Sequence, residues 1–155
     1  MVAVRVATSS DLPALAELRV EWTIEVGGRA EPRFGTRFHE WFRRESDRRV
    51  FWLASDGEDP VGMANLMLFD RMPRPDAPDG GWGYLGNMYV SASHRDRGVG
   101  RQLLIAVTAH ADALGLERLV LNPSPRSISL YRRAGFVPAG TLLLRPKASS
   151  PVASL

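Results

Sequence analysis

Residues 87–104 read NMYVSASHRDRGVGRQLL. An extended apolar pattern ends near Val90, a short loop follows through His94-Arg95-Asp96-Arg97-Gly98-Val99-Gly100, and a helical pattern begins at once. Backbone N–H groups at a helix N-terminus have no intrahelical acceptor and sit at the positive end of the helix dipole. Glycines at that point let the main chain approach an anion closely. The stretch therefore predicts a phosphate or pyrophosphate cradle between a strand and a helix, flanked by Arg95, Arg97 and Arg101. Two well-known cradles do not fit. GxxxxGK[ST] is absent, because Gly100 is followed by Arg-Gln, and GxGxxG fails because Leu103 stands where its third glycine belongs.

Working outward, Val2 to Ala7 alternates and is rich in β-branched residues, a first strand. The segment TSSD then starts a helix, with Thr8 or Ser10 as cap and Pro13 best placed in the first turn if Ser10 is the cap. Gly27-Gly28 ends it. A second helix spans about Phe34 to Glu45, where Phe34, Phe38 and Phe42 recur at helical spacing beside Trp41. That stripe reads first as core. Strands follow at Arg49–Ser55 and Val61–Leu68. Residues 70–81, with three prolines and two glycines, form a loop before a strand from Trp82 to Val90. Gly98 to Leu114 is a helix, Leu119 to Leu121 a short buried strand, Ser127 to Arg133 a helix, and Phe136 to Leu144 a last strand or strand pair. The order β-α-α-β-β-β-α-β-α-β predicts an α/β (α+β) fold: a single mixed, mostly antiparallel central sheet with helices on both faces. Residues 1–146 make one domain, and 147–155, ending in KASSPVASL, read as a disordered C-terminal tail.

Composition narrows the function classes. With 155 residues, 45% hydrophobic and 24% charged, the chain is of single-domain size and globular in character. The absence of cysteine excludes disulfides, thiolate metal sites and cysteine nucleophiles. The net charge is only +3, and the arginines are scattered rather than clustered, so no nucleic-acid partner is expected. No signal-like or membrane-spanning apolar run is visible, so the expected compartment is the cytoplasm, with no membrane partner. His39 and His110 lack metal-ligand spacing, and no metal is expected.

The loop and its surroundings resemble the GNAT superfamily of N-acetyltransferases. The family signature Gln/Arg-x-x-Gly-x-Gly/Ala stands here as Arg95-Asp96-Arg97-Gly98-Val99-Gly100. A second matching region runs through Leu119-Val120-Leu121-Asn122, Ser127 and Leu130-Tyr131-Arg132-Arg133-Ala134-Gly135-Phe136, and VRVATSSDLPALAELR is similar to the family's first strand and helix. The resemblance covers residues 2–145. It implies a GNAT-like fold and acetyl-CoA as co-substrate. The pyrophosphate would rest on main-chain N–H groups of Arg97, Gly98, Val99, Gly100 and Arg101. The strand with Met88, Tyr89 and Val90 would pair with the pantetheine arm, provided strands 82–90 and 118–122 splay apart. A backbone N–H near Met88 or Tyr89 would polarise the thioester carbonyl. Asn122 and Ser127 would contact the cofactor, and Tyr131 would be the general acid.

The resemblance further implies a small-molecule or peptide amine as acceptor, and relatives make a homodimer a natural assembly. An amine must be neutral to attack, and the departing thiol, with an ordinary pKa of about 8.5, is already a tolerable leaving group. The base is not evident. Several relatives place a glutamate where this chain has Gly86-Asn87. Asn87 cannot take a proton, though it can orient a water or substrate; Glu25 and Asp79 are substitutes, and His94 reads as a loop-packing residue. Glu17, Glu21 and Glu25 recur on one helix face as a solvated stripe or an attractor of cationic amines. Part of the aromatic stripe at Phe34–Phe42 walls an acceptor pocket in the alternative reading. A non-catalytic acyl-CoA-binding module is the alternative function.

Overall fold

The alternation around Arg5 forms an edge strand, β1 (Val2–Val6), whose Arg5 guanidinium binds both oxygens of Asp11 at 2.7 Å. In the computed structural model, which describes residues 1–147, the chain continues through α1 (Leu12–Glu25), α2 (Phe34–Glu45), β2 (Arg49–Asp56), β3 (Asp59–Asp70), β4 (Gly81–Val90), α3 (Val99–Ala113), β5 (Leu119–Val120) and α4 (Ile128–Arg133). The five strands lie in sequence order; β1 to β4 are antiparallel neighbours and β5 is parallel to β4. The mixed α/β sheet is thus as expected. At the start of α1 the cap is Asp11, not Ser10, and Pro13 falls in the first turn.

Period-two alternation splits the apolar side chains of β2 between two cores. Phe51 and Leu53 face α1, packing with Leu15, Leu18, Met63 and Tyr89. Trp52 and Ala54 face α3, packing with Val99, Leu103, Leu104, Val107 and Ala111. Burying both sheet faces is what holds the helices on opposite sides, at roughly 1.5–3 kcal/mol for each large side chain removed from water. The loop 71–80 closes on the hydrogen bond from Arg71 N–H to Gly80 C=O, with Phe69 and Trp82 stacked across its base.

One expected element does not form. Among the described residues, nothing after α4 is a strand. Pro138 has no N–H to donate, Gly135 sits at φ +93°, and β5, the edge a last strand would extend, is only two residues long. Val137 and Leu142 instead border an apolar cavity of about 290 Å³ with Leu119, Ile128 and Tyr131, while Leu143 is 99% exposed. The tail expectation, beyond Lys147, lies outside the described residues.

Candidate active site

The site begins where the sheet opens. β4 and β5 pair at Gly83↔Leu119 and Tyr84↔Val120; beyond Tyr84, β4 stays paired with β3 as far as Val90 while its β5-side edge is left unpaired. Between Gly86↔Asn65 and Tyr89↔Met63, two residues of β4, Asn87 and Met88, oppose Ala64 alone. This is a β-bulge, with Asn87 in the left-handed region at φ +51°. Asparagine is among the few non-glycine residues that tolerate that conformation, and a bulge re-aims the strand that carries it. Asn87 lines a cavity on the α1–α2 side, whereas Met88 packs against the core on the α3 side.

At the start of α3 the first backbone bond within the helix runs from Gln102 N–H to Gly98 C=O. The N–H groups of Arg97, Gly98, Val99, Gly100 and Arg101 donate to no acceptor among the described residues, and no side chain caps the helix. Gly98 holds φ +83°, a left-handed turn that sends the chain directly into the helix. A β-carbon on Gly100 would touch Leu130 Cδ2 at 3.4 Å and Met88 Cε at 3.5 Å, so this residue faces the gap between β4 and α4. Arg97 and Arg101 are exposed at the same helix start.

Arg95 is not with them. Its Nε donates to the Val90 carbonyl at 2.9 Å, and its outer nitrogen pairs with the Glu25 carboxylate at 2.7 Å. Glu25 also accepts from the Tyr89 hydroxyl at 2.7 Å, and Glu21 from Tyr89 at 3.1 Å and Ser91 at 3.0 Å. Glu21 and Glu25, read as part of a solvated stripe or an attractor of cationic amines, are instead an anchor that fastens α1 to the end of β4, while Glu17 is exposed. Hydrogen bonds from Tyr89 and Arg95 hold the Glu25 carboxyl below its usual pKa, the wrong direction for a general base. Burial, with both carboxylates nearby, raises the Tyr89 phenol. Asp79 lies exposed in the 71–80 loop. His94 bridges Ser93 (2.9 Å) and Asp56 (3.3 Å), the loop-packing position. His39 is exposed, His110 packs edge-on against Trp52, and among the described residues no group of three or more metal ligands forms.

Tyr131 comes from α4, buried at 9% exposure, with its ring edge-on to Phe136 and its hydroxyl 3.6 Å from Met88 Sδ. Burial, then the neighbouring Tyr84, pushes the phenol pKa up, so the hydroxyl keeps its proton. Ser127 caps α4 and turns its hydroxyl back onto the Ser124 carbonyl at 3.0 Å, and Asn122 is exposed beyond the end of β5. Tyr131 and Gly100 therefore both meet Met88 beside the unpartnered N–H groups, while Asn122 and Ser127 lie on the chain between β5 and α4.

On the α1–α2 side, a cavity of about 440 Å³ ends at Asn87. Phe34, Phe38 and Trp41 line it, so the aromatic stripe is not simply core, although Phe38, Trp41 and Phe42 also pack against the buried cluster, Phe42 and Trp41 on Phe51 at 5.0 and 5.9 Å between ring centroids. Sequence reading missed Asn65 in the floor, which is 2% exposed. A single asparagine inside the apolar run VGMANLMLF was the available signal, since buried amides need partners.

The model of the acetyltransferase (GNAT) family matches residues 12–136, and the chain belongs to that family. The chain is 28% identical over 100 residues, 63% of its length, to the uncharacterized N-acetyltransferase YobR of Bacillus subtilis (strain 168); the match takes in 36% of that relative's own length. Its fold is similar to that of a predicted acetyltransferase from Clostridium acetobutylicum solved with acetyl-CoA (TM-score 0.77, 21% identity, 94% of this chain and 96% of that one). It is similar as well to a GCN5-related N-acetyltransferase from Ralstonia eutropha JMP134 (TM-score 0.72, 26% identity, 96% and 99%).

Proposed function

We propose that this chain binds acetyl-CoA and transfers its acetyl group to a primary amine by direct attack of the amine on the thioester. The observation that carries the reading is the run of five N–H groups from Arg97 to Arg101, without acceptors among the described residues, beside the point where β4 and β5 part. Bound acetyl-CoA supplies the activated thioester. The five N–H groups and the exposed Arg97 and Arg101 suit its pyrophosphate. The unpaired edge of β4 past Tyr84 suits strand-like pairing with the pantetheine arm, and a backbone N–H near Met88 or Tyr89 would polarise the thioester carbonyl. Asn122 and Ser127, between β5 and α4, are assigned a cofactor contact on the family resemblance.

Tyr131 holds the proton for the leaving sulfur. In water, a phenol above its usual pKa of about 10 would give its proton to a thiolate of about 8.5 only uphill. In the gap, however, burial disfavours the thiolate as it does the phenolate, so the two affinities draw together. Asn87 orients the acceptor rather than deprotonating it. With no carboxylate base in the cavity floor, the rate at subsaturating amine should rise from about pH 6 toward 8.5 as the amine loses its proton.

The test is calorimetry with acetyl-CoA, followed by release of the CoA thiol with a panel of primary amines over that pH range. Binding, amine-dependent thiol release and a rising profile are the expected results. Binding without release for any amine would leave a CoA-binding module. A flat profile would make a hydroxyl acceptor the better reading.

A further inference from the structure

The cavity that ends at Asn87 has a fixed chemical polarity, and the fixing starts 38 residues away, at Arg49. A guanidinium can only donate. Arg49 donates from Nε to Glu45 at 2.8 Å and from Nη1 to Asn65 Oδ1 at 3.3 Å. The Asn65 oxygen being used, its Nδ2 donates to Asn87 Oδ1 at 3.0 Å. Flipping Asn65 would set its amide nitrogen against the guanidinium, and flipping Asn87 would set two NH₂ groups against each other. The chain of bonds therefore leaves Asn87 Nδ2 directed away from Asn65. It has no acceptor among the described residues, and Asn87 is exposed, so the amide nitrogen stays accessible. The cavity floor offers a donor.

The walls agree. Arg19, Arg37 and Arg44 line the cavity against a single acid, Glu40, with Phe34, Phe38 and Trp41 as the apolar side. Arg37 shares its charge with Glu31 at the rim, and Arg19 lies over the Trp22 ring and donates to Thr23. Arg44 has no ion pair among the described residues. Donors outnumber the one carboxylate, and amide and guanidinium together suit an acceptor-only oxygen group. A polyamine would meet three guanidinium groups there. Glu40 is outnumbered by those three groups, and Glu21 and Glu25, outside the cavity lining, are engaged with Tyr89, Ser91 and Arg95.

We propose that the acceptor is a primary amine whose body carries an anionic oxygen group, a carboxylate or a phosphate, held by Asn87 Nδ2 and the cavity arginines, with an apolar portion against α2. The inference rests on the acetyltransferase reading and specifies its substrate class.

The experiment compares thiol release from acetyl-CoA with phenylalanine, phenylalaninamide, phenethylamine, O-phosphoethanolamine, ethanolamine and spermidine, after calorimetry has measured acetyl-CoA binding. At least one anionic amine should exceed its neutral counterpart and spermidine by about tenfold or more in kcat/KM. Phenylalanine against its amide reads the carboxylate, and phosphoethanolamine against ethanolamine the phosphate. In Arg44→Glu and in Asn87→Asp, with folding checked by circular dichroism, that ratio should shrink by about tenfold or invert, mainly through KM. Equal or better use of neutral amines or spermidine by the unaltered protein overturns the inference and leaves the acetyltransferase reading in place. So does acetyl-CoA binding with no transfer to any amine of the panel, which leaves the cofactor reading in place. Failure to bind acetyl-CoA overturns the parent reading and this one with it.

Discussion

The Tyr131 hydroxyl lies 3.6 Å from a thioether sulfur, a weak acceptor, inside a side chain that is otherwise packed. Removing it should therefore cost the fold little and the reaction much. For Tyr131→Phe, kcat should fall about 10²-fold or more with acetyl-CoA affinity nearly constant, and stability should shift by no more than about 1 kcal/mol. Steady-state kinetics beside thermal denaturation check both halves, and a near-normal kcat would make the hydroxyl structural. Gly100 is the complementary case, because its missing β-carbon faces Leu130 and Met88 across the gap. An alanine there would make ordinary contact, but the branches of valine in Gly100→Val would intrude between β4 and α4. Acetyl-CoA affinity should drop at least about tenfold, or about 1.4 kcal/mol, measured by calorimetry on a folded variant. The glycine motif was legible because unusual backbone needs leave a residue signature. Arg95 was not: its partner Glu25 is 70 residues away, and no local pattern tells a guanidinium which of two anions it will meet.

At the scale of elements, the parting of β4 and β5 depends on how closely they first come together. A β-carbon on Gly83 would fall 2.8 Å from both Leu119 Cδ2 and Leu66 Cδ1, the latter in the fully buried core. Gly83→Ala should overpack the only place where the two strands are joined and destabilise the protein by about 1–3 kcal/mol, read as a lower midpoint in urea with an unchanged m-value. A neutral result would mean that the leucines repack freely and that the junction has slack. Helix and strand spans to α4 were readable from periodicity alone, with ends moved by one or two residues. The strand expected at Phe136–Leu144 was not, because a strand needs an edge to pair with, and the two-residue length of β5 is not written in the segment that would extend it. The stripe on α2 failed for a related reason. Periodicity shows that a face is apolar; whether that face is covered depends on what stands opposite, here an open cavity bordered by Arg19 and Asn87.

For the molecule as a whole, the carboxylates set its tolerance of acid. Asp11 is held below its ordinary pKa first by Arg5, Glu25 by Tyr89 and then Arg95, Asp56 by the terminal amine and then His94, and Asp76 by Arg74; Glu45 is lowered to about 2 by Arg48 and then Arg49. Each has a lower pKa folded than unfolded, so the unfolded chain binds more protons as the pH falls. The stabilisation is complete above the ordinary carboxylate range of about 4 and drains away below it. Most of these pairs are exposed, and screening by water and salt leaves each of them a small contribution. Glu25 differs in what it joins, since it ties the end of α1 to Tyr89 in β4 and to Arg95 before α3. Glu25→Gln removes the charge while nearly keeping the shape. At pH 7 its melting temperature should lie about 2–4 °C below that of the unaltered protein, as expected for about 1 kcal/mol in a chain of this size. Scanning calorimetry from pH 7 to 3 should show the two curves beginning to converge below about pH 4.5, where the unfolded carboxyl takes up a proton, and drawing together further down, where the native carboxyl does the same and the two side chains become alike. A gap that stayed constant to pH 3 would mean that Glu25 acts through packing and not through its charge, and the anchor between α1 and the loop before α3 would then be apolar, resting on the stack of Trp22 and Tyr89 at 5.5 Å.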